Sequence, residues 1–415
     1  MKRGCFSSCA FPARVALFVY GCVVCGASAE QAEGPHPKIL WNVKAYPTPP
    51  DAFPTTIAVP AVEFSPDSEQ IITAGYNGEI KFLNRSNGAV AQTILAHTGI
   101  VHGLSISKNG LLLASGGADR MLNLWRVSDG TLLRSINAHT TAVYSVAFSP
   151  DASLVISGGG LDYQLKIWRT SDGELVRSIQ GTRGQEQDSF GGMQSVAFAP
   201  NGEYVGGSGL GVWKVDGTVI RTSGVLDAEA RRHVKFSPDS TRVFGTIPYG
   251  IVGYVIADGT RVQPFTTSSY PPSAISPDGR SLVTVSFHEM MWAVIPRREA
   301  SAEPNFGQIQ YYDCADGECS LMFTSLAFDP RMRTVAAGTE SGEVLLFELP
   351  IWISGIQGTG NQASIQWQGG SGNYQLQKFV ASSTWQDIEG PLTNNAASAN
   401  MNSPTAILRV RDVEH

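Results

Sequence analysis

The sequence has few charged residues and lacks long runs of basic ones. Asp, Glu, Lys and Arg make up 16% of its 415 residues, with 30 Lys and Arg against 36 Asp and Glu, so the formal net charge is −6 at pH 7. The two adjacent arginine pairs, Arg231–Arg232 and Arg297–Arg298, are isolated. Because nucleic-acid binding depends on clustered Lys and Arg that neutralise phosphates, this composition predicts that the protein has no nucleic-acid partner.

Beyond the first 29 residues, the sequence lacks an apolar run long enough to cross a bilayer, and we expect no integral membrane span. Those 29 residues have the features of a secretory signal peptide: basic Lys2, Arg3 and Arg14, a mostly apolar stretch over 15–24, and a small-x-small cleavage site at 27–29. They predict export to the periplasm, the cell surface or the medium. Lipid attachment at Cys22 is the less favoured alternative. Without these residues the net charge is 27 − 36 = −9.

Cysteine is scarce outside that segment. Four of the six cysteines lie within the first 25 positions, which leaves Cys314 and Cys319. A pair of cysteines in an exported protein predicts a disulfide. A zinc site would need more ligands than two thiolates, so we predict no metal. Asp313, Asp316 and Glu318 lie close by and leave calcium open as an alternative, although their spacing is not that of a full calcium loop.

The sequence also lacks the motifs of common catalytic and cofactor sites. It has no Gly-x-Ser-x-Gly motif to present a nucleophile. His288-Glu289 continues as Met-Met-Trp without the second histidine of a zinc protease. The glycines over 207–211 precede no predicted helix that could bind phosphate at its N-terminus. We therefore predict a protein that is not an enzyme and that carries no cofactor.

A repeat of about 40 residues is the main positive feature of the sequence. The stretch from His97 to Trp125 contains short runs of alternating polarity that are separated by Gly, Asp and Asn, and the same pattern restarts 42 residues later, from His139 to Trp168. Alternation interrupted by turn residues predicts four antiparallel strands per copy. Four strands in a 40-residue repeat are typical of a β-propeller blade. The copies resemble the WD-repeat family, although Ala-His replaces Gly-His and Trp-Arg replaces Trp-Asp.

This resemblance implies an all-β, seven-bladed propeller over residues 30–350. One apolar residue per copy, mostly followed by Ser-Pro-Asp or a similar turn, gives seven anchor positions: Phe64, Ile106, Phe148, Phe198, Phe236, Ile275 and Phe328. The last copy lacks an outermost strand, and the segment 39–46 resembles the outermost strands of other copies. We therefore expect an N-terminal strand to close the ring, which would leave no unpaired sheet edge at the joint.

The resemblance also implies a structural role for two sets of residues that could be taken for catalytic triads. In each set a Ser, a His and an Asp would form a buried hydrogen-bonded network with a Trp. The sets are His97, Ser115, Asp119 and Trp125, and His139, Ser157, Asp162 and Trp168. Their occurrence in adjacent copies favours a structural role over a single active site.

From residue 351 the repeat pattern stops. Alternating segments that contain Trp367, Tyr374 and Trp385 are separated by Gly, Asn and Ser. This C-terminal part, 351–415, resembles a short fibronectin type III-like β-sandwich, and its aromatic residues are expected to form its core.

The function that these features favour is that of an exported, monomeric, non-catalytic scaffold that binds a protein or peptide through its loops. Two segments break the repeat spacing: 181–193 lengthens the link between the third and fourth copies, and 296–320 lengthens the sixth copy, with the cysteine pair late enough to lie on its link to the seventh. They supply the candidate contact residues: Arg183, Gln185, Glu186, Phe190, Tyr311 and Tyr312. One alternative is an extracellular enzyme of the lactonase, quinoprotein or glycosidase type with its site in the central channel. Another is a surface protein that binds glycan through the C-terminal aromatics.

Overall fold

A computed structural model shows an all-β protein. It describes residues 16–17, 38–47, 58–181, 192–208, 211–221, 232–247, 250–266, 273–276, 281–286, 289–294, 323–331, 333–348, 352–359, 362–368, 374–380, 384–392, 396–400 and 407–412. These residues form two compact units, one of Ile39–Phe347 and one of Met1–Lys38 with Glu348–His415. Within the described ranges, no helix is long and apolar enough to span a membrane.

The larger unit contains five consecutive four-stranded sheets, whose strands run in order from the innermost outwards. Blade 1 is Val62–Phe64, Gln70–Ala74, Glu79–Asn84 and Val90–Leu95, and blade 2 is Val101–Ile106, Leu112–Gly117, Met121–Arg126 and Leu132–Asn137. Blade 3 is Val143–Phe148, Leu154–Gly159, Gln164–Arg169 and Leu175–Gln180, and blade 4 is Val196–Phe198, Tyr204–Gly207, Gly211–Lys214 and Val219–Arg221. Blade 5 is Arg232–Phe236, Arg242–Ile247, Gly250–Val255 and Arg261–Thr266. Within each described blade, neighbouring strands are antiparallel.

Two more sheets complete the ring. A three-stranded sheet consists of Ser273–Ile275, Ser281–Ser286 and Glu289–Val294. The closing blade consists of Phe323–Phe328, Thr334–Thr339, Glu343–Glu348 and, outermost, Lys38–Lys44. The innermost strand of each sheet contacts that of the next, from blade 1 to the closing blade and back to blade 1.

The described residues thus form six four-stranded blades, whereas the spacing of the anchors predicts seven. The difference lies at the anchor Ile275, whose sheet has three described strands because the chain over 295–322 falls outside the described residues.

The turn after each innermost strand shows why the Ser-Pro-Asp sequence recurs. In blade 3, Ser149 Oγ donates to Asp151 Oδ1 at 2.6 Å and accepts the backbone N–H of Leu154 at 2.9 Å. Asp151 Oδ1 also accepts the backbone N–H of Ser153 at 3.0 Å. Ala152 takes a positive φ of 59° at the corner of the turn. The side chains thus satisfy backbone donors where the ladder ends, and this local hydrogen bonding fixes the turn.

The core of the ring lies between neighbouring blades. Each apolar cluster takes its side chains from two adjacent sheets; between blades 2 and 3, for example, Leu122 and Leu124 pack with Val143, Phe148 and Trp168. Equivalent clusters join blades 1 and 2, 3 and 4, and 4 and 5, and the closing blade and blade 1. Full burial of one large apolar side chain contributes about 1.5–3 kcal/mol, so packing between neighbouring blades contributes strongly to the stability of the ring.

The N-terminal strand closes the ring as the sequence predicts, since it pairs beside Glu343–Glu348 as the outermost strand of the closing blade. Its Trp41 Nε1 donates to the Arg85 carbonyl of blade 1 at 2.7 Å. Directly after the strand, the backbone N–H of Tyr46 donates to the Gly342 carbonyl at 3.0 Å, and the Tyr46 hydroxyl donates to the Thr73 carbonyl at 2.9 Å. Tyr46 therefore joins the closing blade to blade 1.

The smaller unit has two sheets of its own. A three-stranded sheet consists of Trp352–Thr359, Gln362–Gln368 and Ala396–Asn400. A four-stranded sheet has the order Ala16–Leu17, Ile407–Asp412, Tyr374–Val380 and Thr384–Leu392. Ala16–Leu17, which lies in the predicted signal peptide, pairs in parallel with Ile407 and Leu408. Trp367, Tyr374 and Trp385 all lie in strands of this unit.

Replacement of Tyr46 tests how far the closure supports the ring. Tyr46 is fully buried, and we expect Tyr46→Ala to destabilise the propeller by about 3–5 kcal/mol through the lost ring packing and hydrogen bond. Tyr76 packs against the same cluster but is only partly buried, so Tyr76→Ala is the matched control and should cost about 1 kcal/mol. Chemical denaturation followed by tryptophan fluorescence measures both. Equal losses for the two variants would contradict a special role for the joint.

Candidate protein-interaction face and channel mouth

Four side chains form a hydrogen-bonded chain that fixes the link between blades 1 and 2. Trp125 Nε1 donates to Ser115 Oγ at 2.9 Å, and Ser115 Oγ lies 2.8 Å from His97 Nε2. His97 Nδ1 lies 2.9 Å from Asp119 Oδ1. His97 is on the link itself, Ser115 is on the second strand of blade 2, and Trp125 lies near the end of the third. The chain of contacts therefore ties the interblade link to the body of blade 2.

The same arrangement recurs one blade further on. Trp168 Nε1 donates to Ser157 Oγ at 2.8 Å, Ser157 Oγ lies 2.8 Å from His139 Nε2, and His139 Nδ1 lies 2.8 Å from Asp162 Oδ2. The structure thus brings together both of the four-residue sets named from the sequence. We call them the blade 2 tetrad and the blade 3 tetrad.

Each tetrad has a glycine beside its histidine, at a position with no space for a side chain. A Cβ atom on Gly117 would collide with the His97 ring and with Asp119, and Gly159 is in the same position beside His139 and Asp162. Both glycines end the second strand of their blade, so the strand can approach the imidazole only because it lacks a side chain there.

Burial and local hydrogen bonds together set the protonation states in the blade 2 tetrad. Burial lowers the pKa of His97 although Asp119 opposes that shift, so the imidazole is neutral at pH 7. Burial disfavours the Asp119 carboxylate, but His97 and the backbone N–H groups of Thr98 and Met121 outweigh it and hold the pKa of Asp119 below its usual value. The neutral ring donates from Nδ1 to the carboxylate and accepts the Ser115 hydroxyl proton at Nε2.

This geometry resembles a catalytic triad but does not present a nucleophile. Ser115 and Ser157 are fully buried, and each hydroxyl oxygen already accepts an indole N–H. A serine nucleophile must reach a substrate carbonyl, and a sealed hydroxyl cannot. The tetrads therefore act on the fold, because they hold the links in place.

The links fixed in this way lie on one face of the ring, which we call the link face. The innermost strand of each blade leaves this face and the second strand returns to it, so the links between blades and those between second and third strands emerge there together. Ile100 on the first kind of link is 37% exposed, and Leu161 on the second kind is 63% exposed. Tyr144, at the start of the innermost strand of blade 3, is 37% exposed and packs against Gly160. Exposed apolar residues thus lie on the blade 2 and blade 3 part of this face.

An aromatic pair stands where the link face meets the central cavity. The His102 and Tyr144 rings are stacked with centroids 4.5 Å apart. Both residues lie four positions before the anchor of their blade, and Gln194 and Thr324 occupy the same position in blade 4 and the closing blade. All four line a central cavity of about 530 Å³. Burial lowers the pKa of His102 to about 4, so this ring is neutral at physiological pH and stacks as an uncharged aromatic.

The contact residues named from the sequence fall outside the described residues. They are Arg183, Gln185, Glu186, Phe190, Tyr311 and Tyr312, together with Cys314 and Cys319. Sequence reasoning missed His102 and Tyr144. Their shared position, four residues before the aligned anchors, is the signal that could have identified them. In the part of the chain that is described, no group of three or more His, Cys, Asp or Glu side chains could hold a metal ion.

Comparison with known proteins shows which residues form the recognised repeats. The family model of the WD domain, G-beta repeat (WD40), matches residues 88–126 and 130–169. Each match begins just before the outermost strand of one blade and ends with the third strand of the next. The repeat is therefore offset from the blade by one strand, which is the same offset that requires an N-terminal strand to complete the closing blade.

Two curated relatives match short stretches of this chain. WD repeat and SOCS box-containing protein 1 of Takifugu rubripes is 34% identical over 95 residues, which are 22% of each protein. Striatin-3 of Rattus norvegicus is 33% identical over 88 residues, 20% of this chain and 11% of that protein. The chain thus spans about a fifth or less of the length of these relatives.

A solved structure extends the likeness to most of the ring. The crystal structure of the Cps50 (Swd1) β-propeller domain of Myceliophteria thermophila aligns with a TM-score of 0.61 over 76% of this chain and 100% of that one, at 13% sequence identity. At that identity the likeness concerns the fold alone. The chain therefore contains WD40 repeats and has a β-propeller fold.

Removal of one tetrad hydroxyl tests its structural role. Ser115→Ala leaves the Trp125 indole N–H and His97 Nε2 without their partner, and we expect a loss of about 1–3 kcal/mol in the free energy of unfolding. Ser128→Ala, at an exposed position in the turn after Trp125, is the control and should change it by less than about 0.5 kcal/mol. Urea denaturation of both variants gives the comparison. Unchanged stability of Ser115→Ala would show that the tetrad does not support the link.

Proposed function

We propose that this protein is a non-catalytic scaffold that binds a protein or peptide partner through its link face. The observation that carries the proposal is the exposure of Ile100, Tyr144 and Leu161 on this face, where Tyr144 also stacks on the His102 ring at the channel mouth. Aromatic and apolar groups on a rigid support contribute strongly to interface energy, because little conformational entropy is lost when they bind.

The rigidity of this face supports the proposal. The blade 2 and blade 3 tetrads fix the links that flank these residues, so Ile100 and Leu161 project from constrained positions. We include in this proposal the contact residues predicted from the sequence in the link between blades 3 and 4, Arg183, Gln185, Glu186 and Phe190, which lie outside the described residues. The family model matches residues 88–126 and 130–169, which contain this part of the face.

The composition of the cavity supports a binding role over the enzyme alternatives. Among the described lining residues, Glu63 is the single carboxylate. Glycoside hydrolysis in most families needs a pair of carboxylates, and a lactonase or quinoprotein needs metal ligands or a cofactor site. The buried tetrad serines do not supply a nucleophile. The lining residues thus favour a scaffold.

The proposal extends to the wider architecture of the protein. The three-stranded sheet would be the seventh blade of a ring that spans residues 30–350, with its fourth strand in the chain after Val294. The two sheets of the smaller unit would pack as a fibronectin type III-like sandwich over 351–415, with Trp367, Tyr374 and Trp385 in its core. Cys314 and Cys319 would form a disulfide, and the protein would be a monomer without cofactor.

Export is the remaining part of the proposal. Cleavage after Ala29 would remove Ala16–Leu17 and expose the edge of Ile407–Asp412, which it pairs with. N-terminal sequencing of the protein from envelope and secreted fractions tests the cleavage, and we expect a mature chain that begins at Glu30. A cytosolic protein that keeps residues 1–29 would contradict export.

Two leucines of equal exposure provide a test of the link face. Leu161 on the link face and Leu111 on the opposite face are each 63% exposed. We expect Leu161→Arg to weaken partner capture at least about tenfold, because a charge placed in an apolar contact is desolvated without a partner. Leu111→Arg should leave capture unchanged. Quantitative crosslinking pull-downs from the envelope and secreted fractions, with both variants and the unmodified protein as baits, make the comparison.

The outcomes separate the alternatives. Loss of a captured protein with Leu161→Arg alone would support the link face. Equal capture by all three baits would exclude this face as the binding site. Equal losses with both variants would indicate a nonspecific effect of added charge and would contradict the proposal as well.

A further inference from the structure

One level of the central cavity carries two opposite charges on nearly opposite sides of the ring. The position immediately before each anchor is Glu63 in blade 1 and Lys235 in blade 5. Both side chains line the cavity. In the circular order of the sheets, three lie between them on one side and two on the other. Because they share a register position, the two residues lie at the same depth in the cavity.

The intervening blades leave room between these groups. The same position is Ser105 in blade 2, Ala147 in blade 3 and Ala197 in blade 4, and all three line the cavity. Small side chains at this depth keep the 530 Å³ cavity open between Glu63 and Lys235. Such a volume is within the usual range of small-molecule sites.

The two charges influence each other but are not paired. Burial raises the pKa of Glu63, and the positive charge of Lys235 opposes that shift. Within the described part of the chain, no salt bridge or side-chain hydrogen bond engages the Glu63 carboxylate or the Lys235 ammonium group. Glu63 is partly exposed and Lys235 is exposed. A ligand in the cavity can therefore reach both groups, whose charges are of opposite sign.

We propose that this level of the channel is a binding site for a small zwitterion, whose ammonium group contacts Glu63 and whose carboxylate contacts Lys235. Charge-assisted hydrogen bonds at both ends would fix the ligand across the channel and select against molecules with one charged end. Amino acids and short peptides belong to this chemical class. The site is separate from the link face and does not depend on the proposed scaffold function.

A series of ω-amino acids tests the distance between the Glu63 carboxylate and the Lys235 ammonium group. Glycine, 4-aminobutanoate, 6-aminohexanoate and 8-aminooctanoate differ only in the separation of their charged ends. Isothermal titration calorimetry on the whole protein should give an affinity that peaks at one chain length. The N-acetyl and methyl ester forms of the best ligand each remove one charge and should bind at least about tenfold more weakly, in line with the loss of one charged hydrogen bond.

Two variants test which residue contacts which charged end of the ligand. Glu63→Gln should weaken binding of the best ω-amino acid about tenfold, and N-acetylation of that ligand should then cause little further loss. Lys235→Met should also weaken its binding about tenfold, and esterification should then cause little further loss. Lys214→Met, at an exposed lysine of blade 4 that does not line the cavity, is the control and should bind as the unmodified protein does. Leu161→Arg should also bind normally, which separates this site from the link face.

Three results would overturn the proposal: no binding by any member of the series, an affinity that is independent of chain length, or binding that neither channel variant weakens. If a channel variant does not fold, the comparison of free, acetylated and esterified ligands on the unmodified protein still decides the outcome. Equal binding of all three forms would show that the charges do not recognise the ligand.

Discussion

The propeller depends on the pairing of its first strand with its last blade. Lys38–Lys44 lies beside Glu343–Glu348, and Tyr46 then connects the closing blade to blade 1 through Gly342 and Thr73. Each apolar cluster needs two neighbouring sheets, so an open ring would expose the cluster between the closing blade and blade 1. Tyr46, Leu83 and Leu346 all lie in that cluster. One strand thus completes a hydrogen-bonded sheet and covers the core on both sides of the joint.

The ring in turn creates the two surfaces on which our proposals rest. Links fixed by the tetrads give the link face a constant shape around Tyr144 and Leu161, while the innermost strands enclose the cavity that holds Glu63 and Lys235. Neither surface lies within one blade, since the residues that form each of them come from different sheets. Binding in this fold is therefore a property of the arrangement of blades, and the chemistry of each site depends on which residues a few register positions carry.

Much of the ring could be predicted from the sequence because its signals are local. The Ser-Pro-Asp turns identified most innermost strands, since Ser149 and Asp151 satisfy their own backbone donors. His97 and Trp125 marked the tetrad because a buried indole N–H needs an acceptor. The number of complete blades was not settled in this way, because the fourth strand of the sheet at Ile275 is expected in the chain over 295–322, which falls outside the described residues. His102, Tyr144, Glu63 and Lys235 were missed because their importance arises from neighbours on other blades, which spacing along one strand does not reveal.

The offset between repeat and blade also has a consequence for folding. Lys44 and Ser341, which meet at the joint, are 297 positions apart in the chain. During synthesis, the first strand must therefore remain without its sheet partner until nearly the whole ring has been made. Contacts of such long range form slowly because the entropy of loop closure opposes them. The intermediate blades can pack on one another in order along the chain, and ring closure would then be the last step, at which the separate sheets become one cooperative unit.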